Sequence, residues 1–129
     1  RMLVDLAGPA LTIALLGALS LSAWVSLQTG GAQEDRVEKF VPEAALEGHE
    51  EAAEAFLALS VLVLVVAAAG LLNGKVGAVA RYTATAGTVA LLIAGYQVGH
   101  SGGALVYEHG AAQAYVGPGA TTVSTERTR

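Results

Sequence analysis

The 129-residue chain contains no cysteine. That excludes disulfides, thiolate zinc sites, iron–sulfur clusters and covalently attached c-type haem. Charge is scarce as well: Asp, Glu, Lys and Arg make up 14% of the residues, against about 25% in an ordinary soluble domain. Cations are the scarcer sign, with 7 Lys and Arg against 11 Asp and Glu and a formal net charge of −4. A nucleic-acid partner is excluded on that ground, because phosphate binding needs a Lys/Arg surplus. No nucleophile elbow, phosphate-binding loop or His-Glu-x-x-His motif occurs; His49-Glu50 lacks the second histidine at the required offset.

What remains is apolar. Hydrophobic residues make up 53% of the chain, and the mean hydropathy is +0.55. A water-soluble domain this small has too little interior for that much apolar surface, so the solvent is expected to be a lipid bilayer. About 20 apolar residues in a helix cross its hydrocarbon core. Three stretches qualify, at about 6–27, 42–72 and 76–101, which predicts an all-α membrane bundle over residues 1–120 and a polar tail over 121–129. In the first span Pro9 suits the opening turn, and Trp24 sits where an interfacial aromatic belongs. A signal peptide is the competing reading of this span, but the apolar region is longer than usual and no Ala-x-Ala site follows. The second helix has a start signal at Pro42-Glu43-Ala44-Ala45-Leu46-Glu47. The third ends at Gly102-Gly103, a plausible terminator, and Asn73-Gly74-Lys75 joins the last two spans as a tight antiparallel hairpin. Lys75 and Arg81 with no acid mark the hairpin loop as cytoplasmic. The expected location is therefore a bacterial inner membrane, with the amino terminus cytoplasmic and the carboxyl terminus periplasmic.

Without cysteine, the three histidines, His49, His100 and His109, carry the chemistry. All fall on the outer side in this topology. His49 lies 25 residues before Gly74 and His100 lies 26 after it, so continuous helices place the two imidazoles at nearly equal height. Two level histidines on neighbouring helices can hold one porphyrin iron between them, and without thioethers the haem would be of the b type. Ala52, Ala53, Phe56 and Leu57 share the His49 face, with small residues that leave room for a flat ring. Gly95, Gly99 and Gly103 recur at four-residue spacing and permit a close approach; Tyr96 lies one turn below His100, placed to hydrogen-bond near it. His109 follows the expected break at Gly102-Gly103 on a segment laid along the outer surface, as an alternative ligand or as a loop-fixing residue.

Plainer readings compete at each position. His49, among Gly48, Glu50 and Glu51, can be a solvated residue on a projecting helix. His100 at a helix end can serve the dipole, the glycine stripe can be helix packing alone, and the Glu47–Glu54 cluster can be a solvated face or a docking patch for a basic partner. No Asp, Glu, Lys or Arg lies at the centre of any span, which argues against an ion or proton path through this subunit alone.

The run Gly99-His100-Ser101-Gly102-Gly103-Ala104-Leu105-Val106-Tyr107-Glu108-His109-Gly110 resembles the signature of a bacterial membrane-protein family catalogued as domain of unknown function 2231, in which the last span ends Gly-Gly-x-Leu-Val-Tyr-x-His-Gly. His49-Glu50 is similar to that family's His-bearing preceding helix, and the resemblance covers roughly residues 43–116. It implies a four-span bundle whose first span bears a His-Pro; this chain has three spans and no His-Pro, which suggests a truncated bundle. It implies no established reaction, but the family's association with c-type cytochromes implies redox company. The expected function is a small cytochrome b-like electron-transfer subunit, more an accessory than an enzyme by itself. It would bind haem b through His49 with His100 or His109, beside Ala53, Phe56, Tyr96, Gly99 and Gly103, among other membrane subunits or copies of itself, and with a periplasmic c-type cytochrome as partner. The alternatives are a non-catalytic anchor subunit without a cofactor, and a copper or zinc site built from the three histidines.

Overall fold

The computed structural model describes residues 2–116, with side chains from Asp5 onward; the expected polar tail, 121–129, lies outside the described residues. Three helices, α1 (Met2–Val37), α2 (Glu43–Ala69) and α3 (Gly74–Tyr107), are followed by a short 3₁₀ turn, Ala111–Tyr115. Among the described residues there is no strand, and all three helices are long and apolar enough to cross a membrane. A helix satisfies its own backbone hydrogen bonds, which is why such sequences are helical in lipid.

Two helices outrun the lengths expected from the sequence. α1 continues ten residues beyond the expected end at 27, through Gly30-Gly31 to Val37, and leaves only residues 38–42 as the connection to α2. The reason is packing. Besides Pro9 and Gly17, the less exposed positions of α1 include Ile13, Leu16, Ser20, Ala23, Leu27, Glu34 and Val37. They follow the four-three alternation of a helix seam, and that seam persists past the apolar run. Because α1 begins at Met2, Pro9 sits inside the helix rather than in its first turn. α3 likewise passes straight through Gly102-Gly103, the expected terminator and break. It ends at Tyr107, where the Glu108 and His109 amides donate to the Ala104 carbonyl and Gly110 takes the left-handed conformation at φ 74°. Ala104–Tyr107 is therefore helix, not a segment laid along the surface.

The hairpin between α2 and α3 is as tight as expected. Gly74 turns it with φ 78°, and Gly77 passes so close to the Leu72 carbonyl that a Cβ would overlap it. Arg81 donates from Nη1 to the Gly70 carbonyl at 2.7 Å, placing a cation at the carboxyl end of α2 where the helix dipole favours it.

α2 lies between the other two helices: it packs on both, while α1 and α3 make no close backbone approach to each other. Its α3 face shows a seven-residue repeat. His49 lies over Gly102, Phe56 over Gly95, Val63 over Gly87 and Gly70 against Arg81, an antiparallel register held to within one residue. A seven-residue repeat is the seam of helices crossing at about 20°. On the α1 side Ser20 donates to the fully buried Ser60 at 3.1 Å, and Ser60 donates to the Leu57 carbonyl at 2.8 Å. Leu16, Val63 and Leu91 form the central buried cluster. A second cluster of Val41, Leu105 and Ala111, with Val37, Ala45 and Leu46 against it, closes the end that holds His49. Arg36 lies 5.6 Å over the Tyr115 ring and ties the 3₁₀ turn to α1.

Candidate functional site

His49 stands in the second turn of α2, half-buried on the face turned to α3. Its Nδ1 lies 2.8 Å from Ser101 Oγ. The Ser101 hydroxyl has one hydrogen, and it donates that hydrogen to the Val98 carbonyl at 3.0 Å. With that hydrogen on the Val98 carbonyl, the hydroxyl oxygen can accept from His49 Nδ1–H, the tautomer that keeps the ring's lone pair on Nε2. Among the described residues Nε2 has no hydrogen-bond partner, and it is not enclosed. The imidazole rests on the bare face of Gly102, where an added Cβ would come within 3.1 Å of Cε1. Ser101 and Gly102 thus act together: one orients the ring, and the other makes room for it.

Two spaces meet at this ring. The first, of about 300 Å³, is lined by His49 and His109 together with small residues of both helices, Ala44, Ala45, Gly48, Ser101 and Ala104, and by Leu105. The second is a groove of about 340 Å³ between the outer halves of α1 and α2, where Ala53 and Phe56 lie beside His49 and the α1 wall includes Ser26, Gly30 and Gly31.

The three histidines do not converge. His49 and His109 border the same cavity, but His100 is exposed and its ring stacks on Tyr96, with centroids 5.9 Å apart and planes 12° from parallel. The expected facing pair His49/His100 is therefore corrected. Their heights agree, since His49 lies opposite Gly102, but their directions do not. At about 100° per residue, His100 is turned about 160° from Gly102 around α3. Tyr96 is exposed and stacks rather than hydrogen-bonding. The expected glycine stripe is also redrawn. Gly95 and Gly102 lie in the seam with Gly87, whereas Gly99 and Gly103 have open space where a Cβ would stand. The three-histidine metal cluster is not formed, and among the described residues no group of three or more His, Asp or Glu side chains is placed to hold an ion. In the acidic stretch Glu47, Glu50, Glu51 and Glu54 are all exposed, and Glu50 joins Glu34 of α1 on the groove wall.

Sequence reasoning assigned no role to Ser101, Gly87, the Ser20–Ser60 pair or the small residues of outer α1. Small side chains recurring at three-, four- and seven-residue spacing on facing helices were the available signal. Comparison of the chain with known protein families, with curated proteins and with solved structures finds no match.

Proposed function

We propose that this chain is a small membrane-embedded, cytochrome b-like electron-transfer subunit that holds haem b between His49 and His109. The observation that carries the reading is the shared depression: two imidazoles border one largely open space whose other walls are almost all Ala, Gly or Ser. The donor set suits the group. His49 keeps the Nε2 lone pair for a metal, and Ser101 holds the opposite nitrogen, as partners of ligating histidines do. His109 lies beyond the end of α3, so it escapes the 8–10 Å spacing that tightly packed helices would impose on two opposed ligands. When bound, the haem would supply one-electron redox chemistry, with its potential set by axial ligands and burial. The chain's own residues orient the ligand ring, and the Val41–Leu105–Ala111 cluster closes the bundle end beside the site.

Lys75 and Arg81 on the hairpin support a reading in which the opposite end, with the histidines, faces the periplasmic side of a bacterial inner membrane. There the exposed Glu47, Glu51 and Glu54 form a face suited to a basic redox partner such as a c-type cytochrome. A second reading, an accessory subunit without a cofactor, is favoured by α1, which exposes Leu6, Leu11, Leu15, Leu21, Trp24 and Val25 to lipid or to neighbouring subunits. The visible spectrum of protein purified from haem-replete membranes separates the two. The haem reading expects a Soret band and sharp reduced α and β bands that His49→Ala and His109→Ala each abolish and His100→Ala keeps. A colourless protein, or bands lost only in His100→Ala, would overturn it.

A further inference from the structure

We infer that the groove between α1 and α2 binds a lipid-soluble quinol, a flat dihydroxy-aromatic head on an apolar chain. The inference stands on the groove, which shares only His49 with the neighbouring space, and its test variants lie in the groove and not in that space. On α1 the groove extends from Leu19 to Glu34, fifteen residues or about 22 Å along the membrane normal. Its polarity changes with depth. Leu19, Ala23 and Phe56, with Ser22 the one polar side chain among them, line the deep part, and Glu34 and Glu50 line the outer mouth. An apolar slot at hydrocarbon depth offers water too few partners to stay wet, so an apolar chain fills it.

The head is chosen by charge. No Lys or Arg lines the groove, though His49 borders it. The two carboxylates at the mouth oppose an anionic phospholipid head and accept hydrogen bonds from hydroxyl groups, and the ammonium of a zwitterionic phospholipid is the competing occupant. The volume, about 340 Å³, falls at the lower end of small-molecule sites. On the α1 wall Ser22, Ala23, Ser26, Gly30 and Gly31 leave room between Leu19, Leu27 and Glu34, across from Ala53 and Phe56, which makes a slot for a flat ring.

Trp24, the one tryptophan of the chain, follows Ala23 of the groove wall and is itself exposed on the outer side of α1, so only quenching that the slot-filling variants weaken counts as binding in the groove. The full chain in lipid nanodiscs is titrated with a decyl-substituted benzoquinol, with the corresponding benzoquinone, and with phosphatidylethanolamine as competitor. The expected result is saturable quenching by the quinol, weaker binding of the quinone, which has no hydroxyl to donate, and no displacement by the phospholipid. Ala23→Leu, which fills the slot, weakens the quinol by about tenfold or more; Ser26→Leu, on the exposed part of the same wall, serves if the first variant fails to fold, and Glu50→Gln weakens the quinol while leaving the slot open. Quinol binding unchanged in a folded slot-filling variant, equal affinity for quinone and quinol, or displacement by phosphatidylethanolamine would each overturn the assignment.

Discussion

Replacing Gly87 and Gly99 by alanine, one at a time, isolates the packing that holds α3 to α2. Both glycines lie inside α3 and both changes add one methyl group, so the gain in helix propensity, up to about 1 kcal/mol, is common to the two. Their surroundings differ. At Gly87 the new Cβ would stand 2.7 Å from Val63 Cγ2, with Cγ1 at 3.5 Å and Cβ at 3.6 Å, whereas at Gly99 nothing lies within 4 Å. Val63 is 3% exposed, and its β-branched side chain has one strongly preferred rotamer in a helix, so it cannot swing aside. The helices must separate or the valine must leave its rotamer, at the cost typical of overpacking, about 1–3 kcal/mol. Gly99→Ala is therefore neutral or stabilising, and Gly87→Ala is less stable than Gly99→Ala by about 1–3 kcal/mol. Reversible unfolding in mixed micelles with rising denaturing detergent measures the difference directly. Adding Val63→Ala to Gly87→Ala recovers part of the loss, because the two residues are in contact and their effects do not add. Equal stability of the two single variants would refute the register.

Further outcomes follow from the same coordinates. Gly74→Ala forces a non-glycine residue to φ 78° and costs about 1–2 kcal/mol in the same unfolding assay. Ser20→Ala removes the donor to Ser60 and costs about 0.6 kcal/mol, the usual worth of an interhelical hydrogen bond in a membrane. Arg81→Ala removes the guanidinium from the Gly70 carbonyl and costs about 1 kcal/mol, of which Arg81→Lys restores a part. Ser101→Ala frees the His49 ring from its orienting partner; under the haem reading, equilibrium titration with haem shows affinity lower by about 10–100-fold.

Heights were legible in the sequence and directions were not. Counting residues from the hairpin at Gly74 placed His49 within two residues of its observed partner, because rise per residue is fixed whatever the neighbours are. Which side of α3 meets α2 depends on the hydrophobic-seam period, and two glycine series offered themselves. The four-residue series Gly95, Gly99 and Gly103 drifts about 40° per step around a helix, while the seven-residue step from Gly95 to Gly102 drifts about 20°. Only the second keeps a straight contact line, and it leaves His100 on the opposite face with Tyr96. Helix ends failed for a related reason. Gly30-Gly31 and Gly102-Gly103 look like terminators by propensity, but Gly102 serves the close approach of His49 and Gly30-Gly31 open a groove wall, so tertiary packing carries the helices through both pairs.

The account rests on the rotation of α3 that sets Ser101, and not His100, against His49. The chain has no cysteine of its own, so engineered pairs read that rotation without background, and disulfide geometry tolerates little error in direction. Under mild oxidation in the membrane, His49→Cys with Ser101→Cys is expected to close into an intramolecular disulfide well ahead of His49→Cys with His100→Cys. Closure of the 49/100 pair as fast as, or faster than, the 49/101 pair would return His100 to the site and contradict the assignment of His109 as the partner of His49.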